Sequence, residues 1–322
     1  MRTIWTIGPC CAVLLSACLK DELPVPVQPR GEGRSIQVCM GAGYQDQLWM
    51  DLRSGTVVST NPKTAWDLAF ESAADGWHVM LNGSRLMTAW NLGAVDITLP
   101  GDTNGMGAAR RIDAPSGDPD STAFGDWRGT NNVYLVDLGY DGLGQALGLR
   151  KVRMTGVTSS VFTFDVAQLN GSGLQSVTVS KDAMRTFTSY SFANGVVPIE
   201  PPAGTWDVVL TQYTHQFYVP YLPYIVTGVL VDRGHARIAR IVNADFANVT
   251  LSDTLANPFS LRRDAIGYDW KTYSFETTAY TVDASIVYIV ENAEGYFNKM
   301  RFLDYYGDQG EVGCPLFEVA PL

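Results

Sequence analysis

The sequence predicts an all-β fold built predominantly of antiparallel sheets. Of its 322 residues, 46% are hydrophobic and 17% charged, and 15 Tyr and 8 Trp accompany abundant Val, Thr and Gly. This composition favours strands over helices. Short apolar runs alternate with Gly, Asn, Asp and Pro, and no window keeps a helical apolar stripe for three turns. Strands at this density, without helices between them, favour antiparallel pairing.

The N-terminal segment has the pattern of an export signal. Arg2 supplies a positive start, and residues 4–15 form a mainly apolar stretch too short to span a bilayer. The motif Leu15-Ser16-Ala17-Cys18 resembles the lipobox of bacterial lipoproteins, in which the cysteine is acylated and becomes the mature N-terminus. We therefore expect a signal peptide over residues 1–17 and a lipid anchor on Cys18. An ordinary secretory signal with a chance cysteine is the alternative.

Residues 18–34 predict a tether between the membrane and the folded part. Pro24, Pro26 and Pro29 and the lack of apolar patterning favour a semi-extended chain. The charged tract Lys20-Asp21-Glu22 is similar to the surface-export signals of Bacteroidetes lipoproteins. We expect an outer-membrane protein that is lipid-anchored at the cell surface.

Two cysteines remain in the predicted folded part, Cys39 and Cys314, one near each end. An exported chain meets an oxidising compartment, so these residues are expected to form a disulfide bridge. Two unpaired buried thiols are the alternative.

An internal repeat sets the predicted domain organisation. Trp66-Asp67 and Trp206-Asp207 each introduce an apolar run, 140 residues apart, and Leu52 and Phe192 fall at the same offset. Two further pairs of segments echo each other toward the ends of the halves: 133–137 with 287–291, and 151–154 with 299–302. We predict two related β-units, residues 35–169 and 174–322, joined at the seam 170–173.

Within these units the pattern predicts fourteen strands. In the first repeat they are Gln47–Leu52, Trp66–Phe70, His78–Leu81, Asn132–Asp137, Lys151–Thr155 and Val161–Phe164. In the second repeat they are Ser176–Ser180, Phe187–Phe192, Trp206–Leu210, Tyr224–Val231, Ala279–Val282, Ile286–Glu291, Asn298–Leu303 and Leu316–Val319.

The ordered motifs resemble the HmuY family of bacterial haem-binding lipoproteins. The matching stretches of the second repeat are 190–195, 206–215, 228–230, 266–271, 288–290 and 299–306, and residues 66–70 match in the first. The resemblance implies a non-enzymatic, outer-membrane-anchored, all-β protein. It also implies the binding of haem or a related porphyrin and its transfer to a TonB-dependent outer-membrane transporter. A structural or adhesion-type surface lipoprotein that keeps this fold without haem is the alternative.

Three residues are candidate haem ligands, because haem needs one or two axial side chains such as His or Met in an aromatic pocket. His215 lies in the aromatic stretch 213–218, and His78 and Met80 would share one face of a strand. Structural packing is the alternative for each. The best-known member of the family places one of its two ligand histidines shortly before its final strand pair, but the matching stretch 273–277 contains neither His nor Met. His235 is interpreted as a turn residue.

Other functions find little support in the sequence. The net charge of -10 argues against a nucleic-acid partner, since phosphates would be repelled. The sequence has no Gly-x-Ser-x-Gly, His-Glu-x-x-His or P-loop motif, and so gives no sign of an enzyme or hydrolase. Asp67 and Asp207 are interpreted as structural hydrogen-bond acceptors rather than an acid/base pair. The Gly- and Asp-rich segment 101–126 is expected to be a solvated loop rather than a calcium site.

Overall fold

The protein was analysed as a computed structural model, which describes residues 32–41 and 43–322. The predicted signal peptide, Cys18 and the tether as far as residue 31 lie outside the described residues. The described chain contains twenty strands and four short 3-10 helices, and none of its helices is long and apolar enough to cross a membrane. The predicted all-β, antiparallel fold is therefore confirmed.

The first repeat supplies nine strands and three of the 3-10 helices. The strands are β1 Arg34–Gln37, β2 Asp46–Asp51, β3 Thr56–Pro62, β4 Leu68–Glu71, β5 Val79–Leu81, β6 Thr88–Asn91, β7 Tyr134–Asp137, β8 Leu149–Val157 and β9 Val161–Gln168. The helices are Gly83–Arg85, Met106–Ala108 and Pro119–Ser121.

The second repeat supplies eleven strands and one 3-10 helix, Leu251–Leu255. The strands are β10 Gln175–Ser180, β11 Phe187–Ser191, β12 Gly195–Val197, β13 Val208–Tyr218, β14 Tyr221–Val231, β15 Arg237–Ile241, β16 Lys271–Ser274, β17 Ala279–Val282, β18 Val287–Glu291, β19 Phe297–Tyr306 and β20 Val312–Pro321.

Four of the five sheets pack in pairs around two hydrophobic cores. The first sandwich joins sheets β10-β9-β8-β7-β6 and β12-β11-β4-β5 around a core that includes Phe70, Tyr134, Phe162 and Phe164. The second sandwich joins β1-β20-β19-β18-β15 and β14-β13-β2-β3 around Trp270, Tyr288, Phe302 and Phe317. Alternate residues of β18 show how the strands face these cores: Tyr288 and Val290 lie in the second core, and Val287 and Ile289 are buried on the opposite face. The fifth sheet is the hairpin β16-β17.

Each sandwich contains strands from both sequence repeats. The first three strands of the first repeat, β1–β3, pair into the second sandwich, through β20 and β13. The matching strands of the second repeat, β10–β12, pair into the first sandwich, through β9 and β4. The sheets therefore do not follow the predicted boundaries 35–169 and 174–322. The two repeats have exchanged their first three strands.

The matching positions of the two repeats make matching interactions. The buried Lys151 donates to the carbonyl oxygens of Ile97 and Leu99, and the buried Lys299 donates to those of Phe246, Ala247 and Val249. The buried ammonium group of each lysine thus donates its hydrogen bonds to backbone carbonyl oxygens of a neighbouring loop. Two residues further on, Arg153 pairs with Asp165 and Arg301 pairs with Glu318 on the adjacent strand. These shared contacts support the duplication that the sequence predicts.

A disulfide joins the exchanged N-terminal strand region to the last strand. Cys39 and Cys314 are bonded with sulfur atoms 2.08 Å apart and span 275 residues of sequence. The pairing of β1 with β20 brings these two segments together. The bridge therefore reinforces a contact between the two repeats.

Every predicted strand coincides with an observed one, but six strands escaped prediction. These are β1, β3, β6, β12, β15 and β16, which are short or carry few large apolar residues. Two strands are much longer than predicted, because β13 and β14 run for 11 residues each as one hairpin. That hairpin positions the candidate site.

Candidate functional site

The β13–β14 hairpin presents two chemically different faces at its outer end. Directly opposed residues of an antiparallel pair share a face, and neighbouring residues alternate between faces. His215 pairs with Tyr224 and Phe217 with Leu222, which places these four side chains on one side. Gln216 pairs with Pro223 and Tyr218 with Tyr221, which places those four on the other side.

His215 lies at the centre of a cluster of aromatic rings. Its imidazole centroid is 5.0 Å from the ring of Phe217 and 5.0 Å from the ring of Tyr268. Phe217 also contacts Tyr224, at 6.1 Å between centroids. We call this surface, formed by His215, Phe217, Tyr224 and Tyr268, the aromatic face.

The imidazole of His215 has an unused ring nitrogen. Its Nδ1 atom is buried and has no hydrogen-bond partner among the described residues. Burial lowers the pKa of His215 below 6.5, and the nearby Arg262 acts in the same direction, whereas Asp264 and Asp269 oppose them. A neutral imidazole is the form that ligates a metal. His215 thus offers a neutral imidazole amid aromatic rings.

The β16–β17 hairpin borders the aromatic face. Its first residue, Lys271, donates from Nζ to the carbonyl oxygen of Thr227 on β14, at 2.5 Å. Tyr280 of β17 lies 5.0 Å from the ring of Tyr273 and within electrostatic range of Tyr224. The hairpin carries the stretch 273–277, where the family resemblance places a ligand, and Phe275 at its tip is 89% exposed. This tip offers aromatic rings rather than a second His or Met.

His78 and Met80 lie elsewhere, in the first sandwich. His78 Nδ1 is 2.5 Å from Glu71 Oε2, and its ring stacks at 3.9 Å on Trp77. Its Nε2 is buried without a partner among the described residues. Met80 is buried and, together with Glu71, lines a cavity of about 230 Å³, which is smaller than most ligand pockets. Their predicted role in haem binding stays a prediction.

The other side of the β13–β14 hairpin borders a larger cavity of about 560 Å³. The facing wall is the segment 107–122, whose side chains include Arg110 and Arg111. Gln216, Tyr218, Tyr221 and Pro223 form the hairpin wall. None of His78, Met80 and His215 is among the residues that line this cavity. The sequence patterns did not indicate it, because its walls come from two segments about 100 residues apart.

The repeated aspartates have the structural role that their positions predict. Asp67 Oδ2 accepts a hydrogen bond from the backbone N–H of Phe192, and Asp207 Oδ2 accepts one from that of Leu52. Trp206 is buried against Trp49, with ring centroids 4.6 Å apart. Both carboxylates thus accept hydrogen bonds from the backbone, as expected of structural residues.

The Asp-rich segment 101–126 is less solvated than expected. Asp113 accepts from the backbone N–H groups of Leu81 and Ala123, at 2.5 and 2.7 Å. Burial raises its pKa to about 6. Asp118 caps the 3-10 helix Pro119–Ser121 by accepting from the N–H of Asp120. The bond between Asp113 and Leu81 attaches the segment to β5 of the first sandwich.

Comparison with known proteins links the chain to one family. The family described as HmuY protein matches residues 43–318. Among solved structures, apo PinO from Porphyromonas gingivitis is 11% identical, with 91% of this chain and 98% of that chain covered and a TM-score of 0.30. The apo HmuY analog of Tannerella forsythia is 9% identical, with 90% and 96% covered and a TM-score of 0.32. No curated protein matched the chain.

Proposed function

The chain belongs to the HmuY family, and we propose that it is a non-enzymatic, lipid-anchored surface protein that captures haem or a related porphyrin. It would be held at the outer membrane through acylated Cys18 and would deliver its cargo to a TonB-dependent transporter. The observation that carries the proposal is His215, a half-buried imidazole amid aromatic rings.

The surroundings of His215 suit a flat, largely apolar ring system. Phe217 and Tyr268 flank the imidazole, and Tyr224 extends the aromatic surface beyond Phe217. Aromatic side chains bury large apolar areas and stack readily on other π-systems. Haem iron is held by a single proximal histidine in several protein classes, so one imidazole is sufficient.

A haem titration of residues 32–322 tests the proposal. We expect saturable binding with a shifted Soret band, and we expect His215→Ala to change the spectrum and weaken binding at least tenfold. His78→Ala tests the second candidate ligand, and His235→Ala is the control, because His235 is partly exposed and paired with Asp232. Absence of a Soret shift in both redox states of the iron would favour the structural or adhesion-type alternative.

The anchor is tested separately in the full-length chain. Incorporation of labelled fatty acid and recovery in the outer-membrane fraction are expected for the unmodified protein. Cys18→Ser should abolish both, because the acylated residue is removed. Retention of the label in that variant would contradict the assignment of Cys18.

A further inference from the structure

The cavity on the other side of the β13–β14 hairpin has the features of a second binding site. At about 560 Å³ it falls within the usual size range of small-molecule pockets. One wall is the segment 107–122, which belongs to the first repeat, and the other is the tip of the hairpin, which belongs to the second. The cavity thus lies where loops of both repeats meet, a common location for ligand sites.

The charge of the cavity is opposite to that of the whole chain. Arg110 and Arg111 both line it, against a single acidic residue, Asp120, whereas the chain as a whole carries a net charge of -10. Arg111 donates from Nη2 to the carbonyl oxygen of Thr122, at 3.2 Å, which holds its guanidinium at the wall. Two guanidinium groups present planar donor arrays that suit carboxylate and sulfonate oxygens.

The rest of the lining is apolar or aromatic. Tyr218 and Tyr221, at the hairpin tip, place their ring centroids 6.2 Å apart and are 77% and 74% exposed. Ile112, Pro115 and Pro223 add apolar surface beside them. Exposed tyrosines provide stacking surface at a low cost in conformational entropy.

From this combination we infer that the cavity binds a small organic anion with a flat aromatic body, held by Arg110 and Arg111 at its acidic group and by Tyr218 and Tyr221 at its ring. The site is separate from the proposed haem site, because His215 points to the opposite face of the hairpin. A ligand here needs no metal. The inference therefore stands independently of haem binding.

Fluorescence titration with 8-anilinonaphthalene-1-sulfonate, a flat aromatic anion, tests the inference. We expect saturable 1:1 binding, and the uncharged analogue N-phenyl-1-naphthylamine should bind at least fivefold more weakly. Arg110→Gln/Arg111→Gln should raise the dissociation constant of the sulfonate at least fivefold. Arg110→Lys/Arg111→Lys should bind more tightly than the glutamine variant but more weakly than the original protein, because the charge is retained while the planar donor array is lost.

Two further variants make the result decisive. Tyr221→Ser changes the hairpin wall only, so it should weaken binding at least threefold even if loss of Arg111 loosens the loop. Arg262→Gln, beside the aromatic face, should leave the dissociation constant unchanged. Absence of saturable binding, or equal affinity in the Arg110→Gln/Arg111→Gln variant, would overturn the inference. A loss caused by Arg262→Gln instead would overturn it as well, since the probe would then occupy the aromatic face.

Discussion

The carboxylate of Asp207 accepts a hydrogen bond from the backbone N–H of Leu52, 155 residues earlier in the chain. The same bond joins Asp67 to Phe192, 125 residues later. Leu52 and Phe192 are matching positions of the two repeats, and each is bound by the aspartate of the other repeat. These two bonds hold the turn between β2 and β3 and the turn between β11 and β12.

The strand exchange predicts which fragments of the chain fold alone. Residues 35–169 contain β1 without β20 and β2 without β13, and they leave β4 without β11. We expect this fragment to be unfolded by circular dichroism. Residues 64–200 contain all nine strands of the first sandwich and should fold. Cooperative unfolding of fragment 35–169 in isolation would contradict the exchange.

Arg85 is expected to be far more important for the stability of the fold than His235. In the first repeat Arg85 forms a buried ion pair with Asp67, whereas in the second repeat His235 is partly exposed and contacts Asp232. Arg85→Met leaves a buried carboxylate without its partner and should cost about 3–5 kcal/mol of unfolding free energy. His235→Ala, the matched control, should cost less than about 1 kcal/mol. Urea denaturation measures both.

Two buried carboxyl groups of the second repeat should make the protein more stable in mild acid than at slightly alkaline pH. Burial raises the pKa of Asp207 and of Glu200 to about 7 each. The folded state therefore binds more protons than the unfolded state between about pH 4 and pH 7, so stability falls as pH rises through that range. We expect a higher unfolding free energy at pH 5 than at pH 8.

Asp207→Asn isolates the share of one group in this pH dependence. Asparagine can still accept the bond from Leu52 but cannot ionise. The difference in unfolding free energy between pH 5 and pH 8 should shrink by on the order of 2 kcal/mol. Asp67→Asn, which breaks the ion pair with Arg85, should instead lower stability at both pH values. An unchanged pH profile in Asp207→Asn would refute the role given to burial.

Haem affinity should depend on pH in a way that identifies His215. Burial lowers its pKa below 6.5, so the imidazole stays neutral down to that pH and can ligate. We expect the dissociation constant to be constant from pH 8 to pH 6.5 and to rise only at lower pH. Soret titrations at constant ionic strength measure this. Weakening that begins between pH 8 and pH 7 would point to another group.

The Cys39–Cys314 bridge is expected to be a major source of stability. It closes a span of 275 residues, and the chain-entropy model assigns such a loop up to about 5 kcal/mol. Cys39→Ser/Cys314→Ser should lower the denaturation midpoint, and reductant should do the same to the unmodified protein but leave the variant unaffected. When the unreduced protein is alkylated, mass spectrometry should find no label on Cys39 or Cys314.

The strand content could be predicted from local patterns, since it depends on residues close in sequence, whereas the duplication stays a prediction. Val133–Val136 is a continuous apolar run and Lys151–Met154 alternates charged and apolar residues, and these segments form most of β7 and part of β8. The exchange could not be predicted, because a hairpin such as β2–β3 has the same apolar pattern whichever sandwich it joins. Only the packing of β2 against β13 decides between them.

The candidate site was predicted only in part. His215 was found because it stands in an aromatic stretch of one strand, so sequence neighbours and spatial neighbours coincide. Arg110 and Arg111 were missed, because they lie in an irregular segment whose relation to Tyr218 and Tyr221 is set by tertiary structure. A cavity between distant segments leaves no periodic signal in a single sequence.

The pairing of β1 with β20 also determines when each sandwich can form during synthesis. β1 has its partner in β20, with paired residues 279 to 285 positions apart. Contacts of such sequence separation form slowly. The second sandwich cannot close until β20 has been synthesised, whereas the strands of the first sandwich are all available by residue 197. The strand exchange thus determines the order of assembly, in which β1 is among the last strands to pair.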